Sequence, residues 1–376
     1  VRVVSAISLI SATIGALLPA PPAGADPPAP VPSPVLPPMA PGEVIRIGPT
    51  AGTGTPTRDY GIGATDLCEF VDFPSGLLQV CGDSFAGQGV GFGGHFSPIA
   101  LHVDLDSVDE STGVRYDGVT GMDKPLLADP TPPGTSQLPA GVVSIDRDNY
   151  MLVTTTKDLV PATSRLVKAD PARGNWPTVP KSERVGDYAR GRQSQISGYY
   201  DPIPTADSPS GWVYLVANDF DRSGPVELYR VTPQKFTDRS AWQGWSSLPG
   251  SGWNKPPTPL WPDQVGEMSV RQLDGKTVLS YFNASTGNME VRVANDPTQL
   301  GSAPVTTVVL AGPWPDVTNE LPPPQDNRLA QPYGGYLSPG STLDELRVFV
   351  SQWNTLPRAD NAPYRVIQYA VNPFKP

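Results

Sequence analysis

Three carboxylates stand in segments that are otherwise small or apolar: Asp66 in GATDL, Asp83 in CGDSF and Glu267 in VGEMSV. A charged group in such company costs free energy unless a partner or a task holds it there. Two of them come with cysteines, as Asp66-x-Cys68 and Cys81-x-Asp83. If a disulfide joins directly opposed residues of an antiparallel hairpin, the same register sets Asp66 opposite Asp83 on one face. Opposed Cβ atoms lie roughly 4.5–5.5 Å apart, where like charges repel. One aspartate should then have its pKa raised, which gives a proton donor beside a base. Glycosidic cleavage uses such a pair. Either aspartate alone reads as structural, a turn cap or a partner for Arg58 or Arg222; the stapled pair points to chemistry.

Other catalytic systems find little support. The chain has two histidines, His95 and His102, with no G-x-S-x-G elbow and no H-E-x-x-H. His95 reads as a loop hydrogen-bonder or a sugar contact rather than a triad base. A zinc site lacks ligands once both cysteines are oxidised, so no metal and no cofactor are expected. Glu267 reads as a sugar or proton positioner. Arg222, in DFDRSG at a hairpin tip, is either a solvated turn residue or a substrate or carboxylate contact. Sugars stack their C–H faces on aromatic rings, and Tyr333, Tyr336 and Trp353 fall where such rings are needed. Trp242, Trp245, Trp253 and Trp261 form a further aromatic group that suits core as well as ligand.

These residues need a scaffold, and the chain writes one in strands. Helical periodicity is nearly absent, while Val-, Tyr-, Leu- and Thr-rich runs alternate with Gly, Pro, Asn and Asp clusters, so the fold class is all-β. Five stretches look alike: LLQVCGDSF, NYMLVTTTKD, GWVYLVANDF, KTVLSYFNAS and LRVFVSQWNT. They start at residues 77, 149, 211, 276 and 346, a spacing of 62 to 72 residues. Each has a short segment upstream, and in four of the five a second strand follows, while the second stretch has a shorter and weaker partner, SRLVKAD. That is the period of a propeller blade. A five-bladed β-propeller is expected, its channel-lining first strands near residues 66, 142, 196, 269 and 335. A two-sheet sandwich or jelly roll would leave the five similar units unexplained.

The flanking sequence bears on where the protein works. Residues 1–25 combine Arg2, an apolar run and Ala23-Gly24-Ala25, the pattern of a secretory signal peptide. Residues 26–41 form a Pro-rich linker, and residues 42–376 the folded domain. No membrane span is expected after signal cleavage. Export favours a Cys68–Cys81 disulfide. The formal net charge of −10 argues against nucleic acid and anionic membranes and suits a neutral ligand such as a sugar. A secreted or cell-envelope-associated monomer is the expectation.

Taken in order, GATDL, CGDSF, YLVANDFDRSGPVELYRV, VGEMSV and QPYGGYLSP followed by VSQWN resemble the signature segments of domain of unknown function 4185, classed as glycoside hydrolase family 183, the endo-D-arabinanases of actinobacteria. The resemblance runs from about residue 43 to residue 376. It implies a five-bladed propeller that cleaves internal α-D-arabinofuranosyl linkages of mycobacterial arabinogalactan and lipoarabinomannan, with Asp66 and Asp83 as the catalytic pair. The cysteine pair and the segments 88–97 and 172–190 depart from the family pattern, which bears on substrate subsites more than on chemistry. Water in a propeller channel favours inversion, whereas an opposed hairpin pair also fits the shorter retaining distance. The rival readings are a non-catalytic glycan-binding propeller, which would tolerate loss of one aspartate, and a hydrolase of another furanoside.

Overall fold

A computed structural model describes residues 35–171, 174–314, 327–356 and 359–374. The signal-peptide reading of residues 1–25, and the linker as far as residue 34, lie outside the described residues. Regular structure among the described residues is β-strand, joined by short 3-10 turns.

The strands follow one another in antiparallel sets of four. The first runs Glu69–Phe73, Gly76–Cys81, Ile99–Val103, Tyr116–Thr120. The second is Ser136–Ile145, Asp148–Lys157, Val160–Lys168, Arg184–Val185. The third is Gln195–Asp201, Trp212–Asn218, Glu227–Val231, Gln243–Ser246, and the fourth Val265–Leu273, Lys276–Asn283, Asn288–Ala294, Val305–Gly312. The last takes Pro332–Leu337, Leu346–Trp353 and Tyr364–Val371 from the C-terminal end. Its outer strand, Val44–Gly52, comes from the N-terminal side and pairs Val44 with Val371. Both ends of the domain are therefore tied into one sheet.

Local chemistry explains the turns. Asp274-Gly275, with φ of 47° and 73°, supplies the left-handed pair that a two-residue hairpin needs between Leu273 and Lys276. The inner strands approach closely where side chains are missing. Gly141 has φ 124°, and a Cβ there would fall 1.5 Å from the Ile196 carbonyl oxygen, so the second and third first-strands meet only because residue 141 is glycine.

The first strand of each set contacts the first strand of the next, and the strand Pro332–Leu337 returns to contact Glu69–Phe73. Phe70 and Phe349 meet edge-on at 4.8 Å between the first and last sets. Residues 142, 196, 269 and 335 lie on these first strands as expected. Asp66 does not quite: Leu67 takes φ 47° and interrupts the strand between Ala64–Thr65 and Glu69–Phe73.

The interruption leaves the register intact. Ala64 faces Phe85, Thr65 faces Ser84, and Glu69 faces Val80, so the ladder resumes in phase on both sides of Leu67. Between them Cys68 and Cys81 form a disulfide with Cα atoms 3.9 Å apart, and Gly82 N donates to Asp66 O at 2.9 Å. Both cysteines are fully buried among Phe70, Ile99, Leu101 and Phe349. Closing a loop of this length removes unfolded-chain entropy, so a Cys68→Ala/Cys81→Ala variant is expected to lose about 2–4 kcal/mol in urea unfolding. A variant as stable as wild type would mean that packing alone holds the hairpin.

Candidate active site

A cleft of about 650 Å³ opens over the ends of these first strands. Its floor and walls include Asp66, Asp83, Arg222, Glu267, Tyr333 and Trp353, brought together from residues up to 287 positions apart in sequence (353 − 66). The walls add Phe85, Phe220, Phe282 and Tyr364, so charged groups sit in an apolar frame. The frame lowers the local dielectric and magnifies each charge.

Asp66 is 4% exposed. Tyr333 donates its hydroxyl to Oδ2 at 2.5 Å, while Oδ1 has no hydrogen-bond partner. Burial drives the Asp66 pKa from 3.8 to about 8. Tyr333 and, more weakly, Tyr364 pull it down, and the charges of Asp83 and Glu267 push it further up. Asp66 is thus a carboxylic acid at neutral pH.

Asp83, opposite it in register, is partly open to solvent. Its Oδ1 lies 2.8 Å from Nε2 of His95, whose ring stacks on Phe85 at 5.0 Å. The bond to Asp83 raises the His95 pKa above its usual 6.5, against the effect of burial. Two carboxyls in one hairpin therefore have separate environments, one dry and one wet. Such a difference separates acid from base.

Glu267 is buried and engaged by Arg222, whose Nε and Nη2 reach Oε1 at 3.1 and 2.5 Å; Oε2 has no partner. Burial opposes the charge on Arg222, but Glu267 outweighs it and the guanidinium stays firmly protonated. Arg222 has φ 63° at the turn after Trp212–Asn218, and its N–H bonds to Asp219 O, which folds the side chain back over the cleft. The guanidinium lies 5.1 Å from the Tyr333 ring centroid and 5.3 Å from that of Phe282.

The structure sorts the residues singled out in the sequence. Tyr336 does not reach the cleft; it lies farther along its strand, packed in the core within range of Glu69 as well as Glu267. His95 is bonded to Asp83 and is not among the residues that line the cleft. Arg222 pairs with Glu267 and with neither aspartate. Trp242 and Trp261 are core, and Trp245 packs at a tilt against Trp253 outside the cleft lining. Trp353 lines the cleft and meets Tyr364 edge-on at 5.7 Å. The sequence reading missed Tyr364, Phe85 and Phe282, because strand aromatics give no signal that separates a cleft wall from a core. Among the described residues no group of three or more His, Cys, Asp or Glu is arranged to hold a metal, and no helix is long and apolar enough to cross a membrane.

The molecule is an all-β protein with a buried, protonated carboxyl beside a solvated one. The chain belongs to the family described as domain of unknown function DUF4185, whose model matches residues 51–370. It is 74% identical over 333 residues to an uncharacterized 35.9 kDa protein of Mycolicibacterium smegmatis, covering 89% of this chain and 99% of that one. It is 25% identical over 332 residues to the notoamide biosynthesis cluster protein J of an Aspergillus species, covering 83% and 85%. The crystal structure of a Bacteroides ovatus protein superimposes with a TM-score of 0.53 at 12% identity, covering 84% and 87%, a likeness of fold.

The raised pKa of Asp66 has a consequence for stability. A carboxyl whose folded pKa exceeds its unfolded one contributes fully below the unfolded value, and the contribution is lost as pH rises through the folded value. For Asp66 that window runs from about 4 to about 8, and Glu69, also raised to about 8 by burial, adds to it. Asp66→Asn is therefore expected to gain thermal stability over wild type as pH goes from 5 to 8.5. A melting-temperature difference that stays constant over that range would mean that Asp66 ionises normally.

Proposed function

We propose that this protein is an exported endo-D-arabinanase built as a five-bladed β-propeller, with Asp66 as general acid and Asp83 as general base. One observation carries the proposal: Asp66, neutral at pH 7, faces the solvated carboxyl of Asp83 across a stapled hairpin at the floor of an aromatic-walled cleft. The strand sets, with first strands in contact around a ring and the N-terminal strand completing the C-terminal set, support the propeller. The leader pattern of residues 1–25 supports export. The substrate class rests on the resemblance to the arabinanase family and on the near relative in a mycobacterium.

In the reaction, the O–H bond of Asp66 breaks and its proton passes to the glycosidic oxygen as the bond from that oxygen to the anomeric carbon opens. A water molecule forms the new bond at that carbon and gives its proton to Asp83, which His95 orients. Trp353, Tyr364 and Phe85 offer faces for the flanking sugars. The fungal relative from a biosynthesis cluster favours a second reading, in which members of this family apply one acid–base pair to different substrates.

The test is direct. Wild-type protein is expected to release oligosaccharides from mycobacterial arabinogalactan, and Asp66→Asn and Asp83→Asn are each expected to lower the rate by about 10²–10⁴-fold. The double variant should be little worse than the worse single one, because both groups act on one bond. Near-wild-type turnover in either single variant would make that aspartate structural. Binding of arabinan without cleavage by the wild type would favour a lectin.

A further inference from the structure

Asp66 is the end of a line of side chains. Glu267 holds Arg222 through two hydrogen bonds, Arg222 lies over the ring of Tyr333, and the Tyr333 hydroxyl meets Asp66 Oδ2. None of these side-chain contacts closes a turn or a ladder, and two of the carboxyl oxygens, Glu267 Oε2 and Asp66 Oδ1, are buried without partners. Buried polar atoms left so are costly in a merely structural network.

We propose that Glu267, Arg222 and Tyr333 are positioning residues that set the proton release of Asp66: Tyr333 donates to Oδ2 and leaves Oδ1 to meet the substrate. This rests on the reading of Asp66 as the acid. Three features support it. The Tyr333 hydroxyl stays protonated, since burial first and then the charge of Asp66 raise its pKa well above 10. It therefore remains a donor throughout the working range. A donor to a carboxyl favours the ionised form, so Tyr333 stabilises the carboxylate that Asp66 becomes once its proton has gone. The Arg222 guanidinium acts in the same sense, and its distance from Asp66 is fixed by Glu267 rather than by substrate. Residue 82 leaves room at the other oxygen: a Cβ on Gly82 would come within 3.2 Å of Asp66 Oδ1.

The groups facing Asp66 have opposing effects. Tyr333 and Tyr364 favour its carboxylate, while Asp83 and Glu267 favour its acid. Arg222 neutralises Glu267 and so keeps the second of these in check. Removing the tyrosine hydroxyl leaves the two acidic neighbours in place and shifts the balance one way, toward a weaker acid.

The experiment compares wild type with Tyr333→Phe and Arg222→Gln. The Asp66 side-chain carboxyl is followed by ¹³C NMR against pH, its signal assigned by absence from Asp66→Asn, and kcat on arabinogalactan is followed in parallel. Tyr333→Phe is expected to move the Asp66 titration up by about one to two pH units and to lower kcat by about 10–100-fold, the effect of one charge-assisted hydrogen bond. Its alkaline limb should move up with the titration. Arg222→Gln should shift both the same way by less. A residue that only packs would alter stability and leave the titration where it was, so an unmoved or lowered Asp66 titration in folded Tyr333→Phe overturns the proposal. The NMR readout does not need cleavage. An upward shift in a protein inert on arabinan would sustain the positioning line and overturn the arabinanase reading alone.

Discussion

Two carboxyls facing one another across a two-strand ladder cannot both be charged in an apolar cleft, and much else in this molecule follows from that constraint. Cys68 and Cys81 lock the ladder beside them, so the aspartates cannot drift apart to relieve the repulsion. Burial, more than their mutual repulsion, keeps the proton on one of them. Asp66, on the dry side, becomes the acid, while Asp83 keeps contact with water and with His95. Without its burial Asp66 would lose the main cause of its raised pKa, and the site its proton donor.

The fold serves this arrangement by bringing distant strands to one place. The disulfide hairpin belongs to the first strand set, Arg222 to the third, Glu267 to the fourth, and Tyr333, Trp353 and Tyr364 to the last. Contacts around the ring of first strands let a side chain from one set complete a bond begun in another, as Tyr333 does with Asp66 over 267 residues of sequence. The outer strand Val44–Gly52 matters for the same reason, since it ties down the sheet that carries three of the cleft aromatics. The cost is stored as buried acid. Asp66 and Glu69 both oppose stability as pH rises, a burden expected where function sets the residue choice.

Much of the scaffold and the central pair was legible in the sequence because both obey local rules. Strand alternation, turn residues and the even spacing of similar runs marked the elements, and the symmetric placement of Asp66 and Asp83 about two cysteines fixed their register. The left-handed step at Leu67 was not foreseeable, yet it left that register unchanged, so the inference survived it. The reach of side chains was harder to read. Arg222 read equally as a solvated turn or as a contact to substrate or a carboxylate, and only its positive φ, which folds it over Tyr333 onto Glu267, decides for the carboxylate. Tyr336 matched the pattern of a ligand contact as well as Tyr333 did, and only its depth along the strand separates them. Tyr364 gave no signal, because a tyrosine that opens a hydrophobic strand looks the same whether its ring faces a cleft or a core.

The central claim is that the protein cleaves D-arabinan with a carboxylic acid whose proton is held to about pH 8. The pH dependence of kcat/KM on D-arabinan tests it most directly, because that profile reports the ionisations of the free enzyme. The account predicts a rate that falls on the alkaline side as Asp66 loses its proton near pH 8. A rate undiminished up to pH 10 would contradict it, since no ionised carboxylate could then be donating the proton that bond cleavage requires.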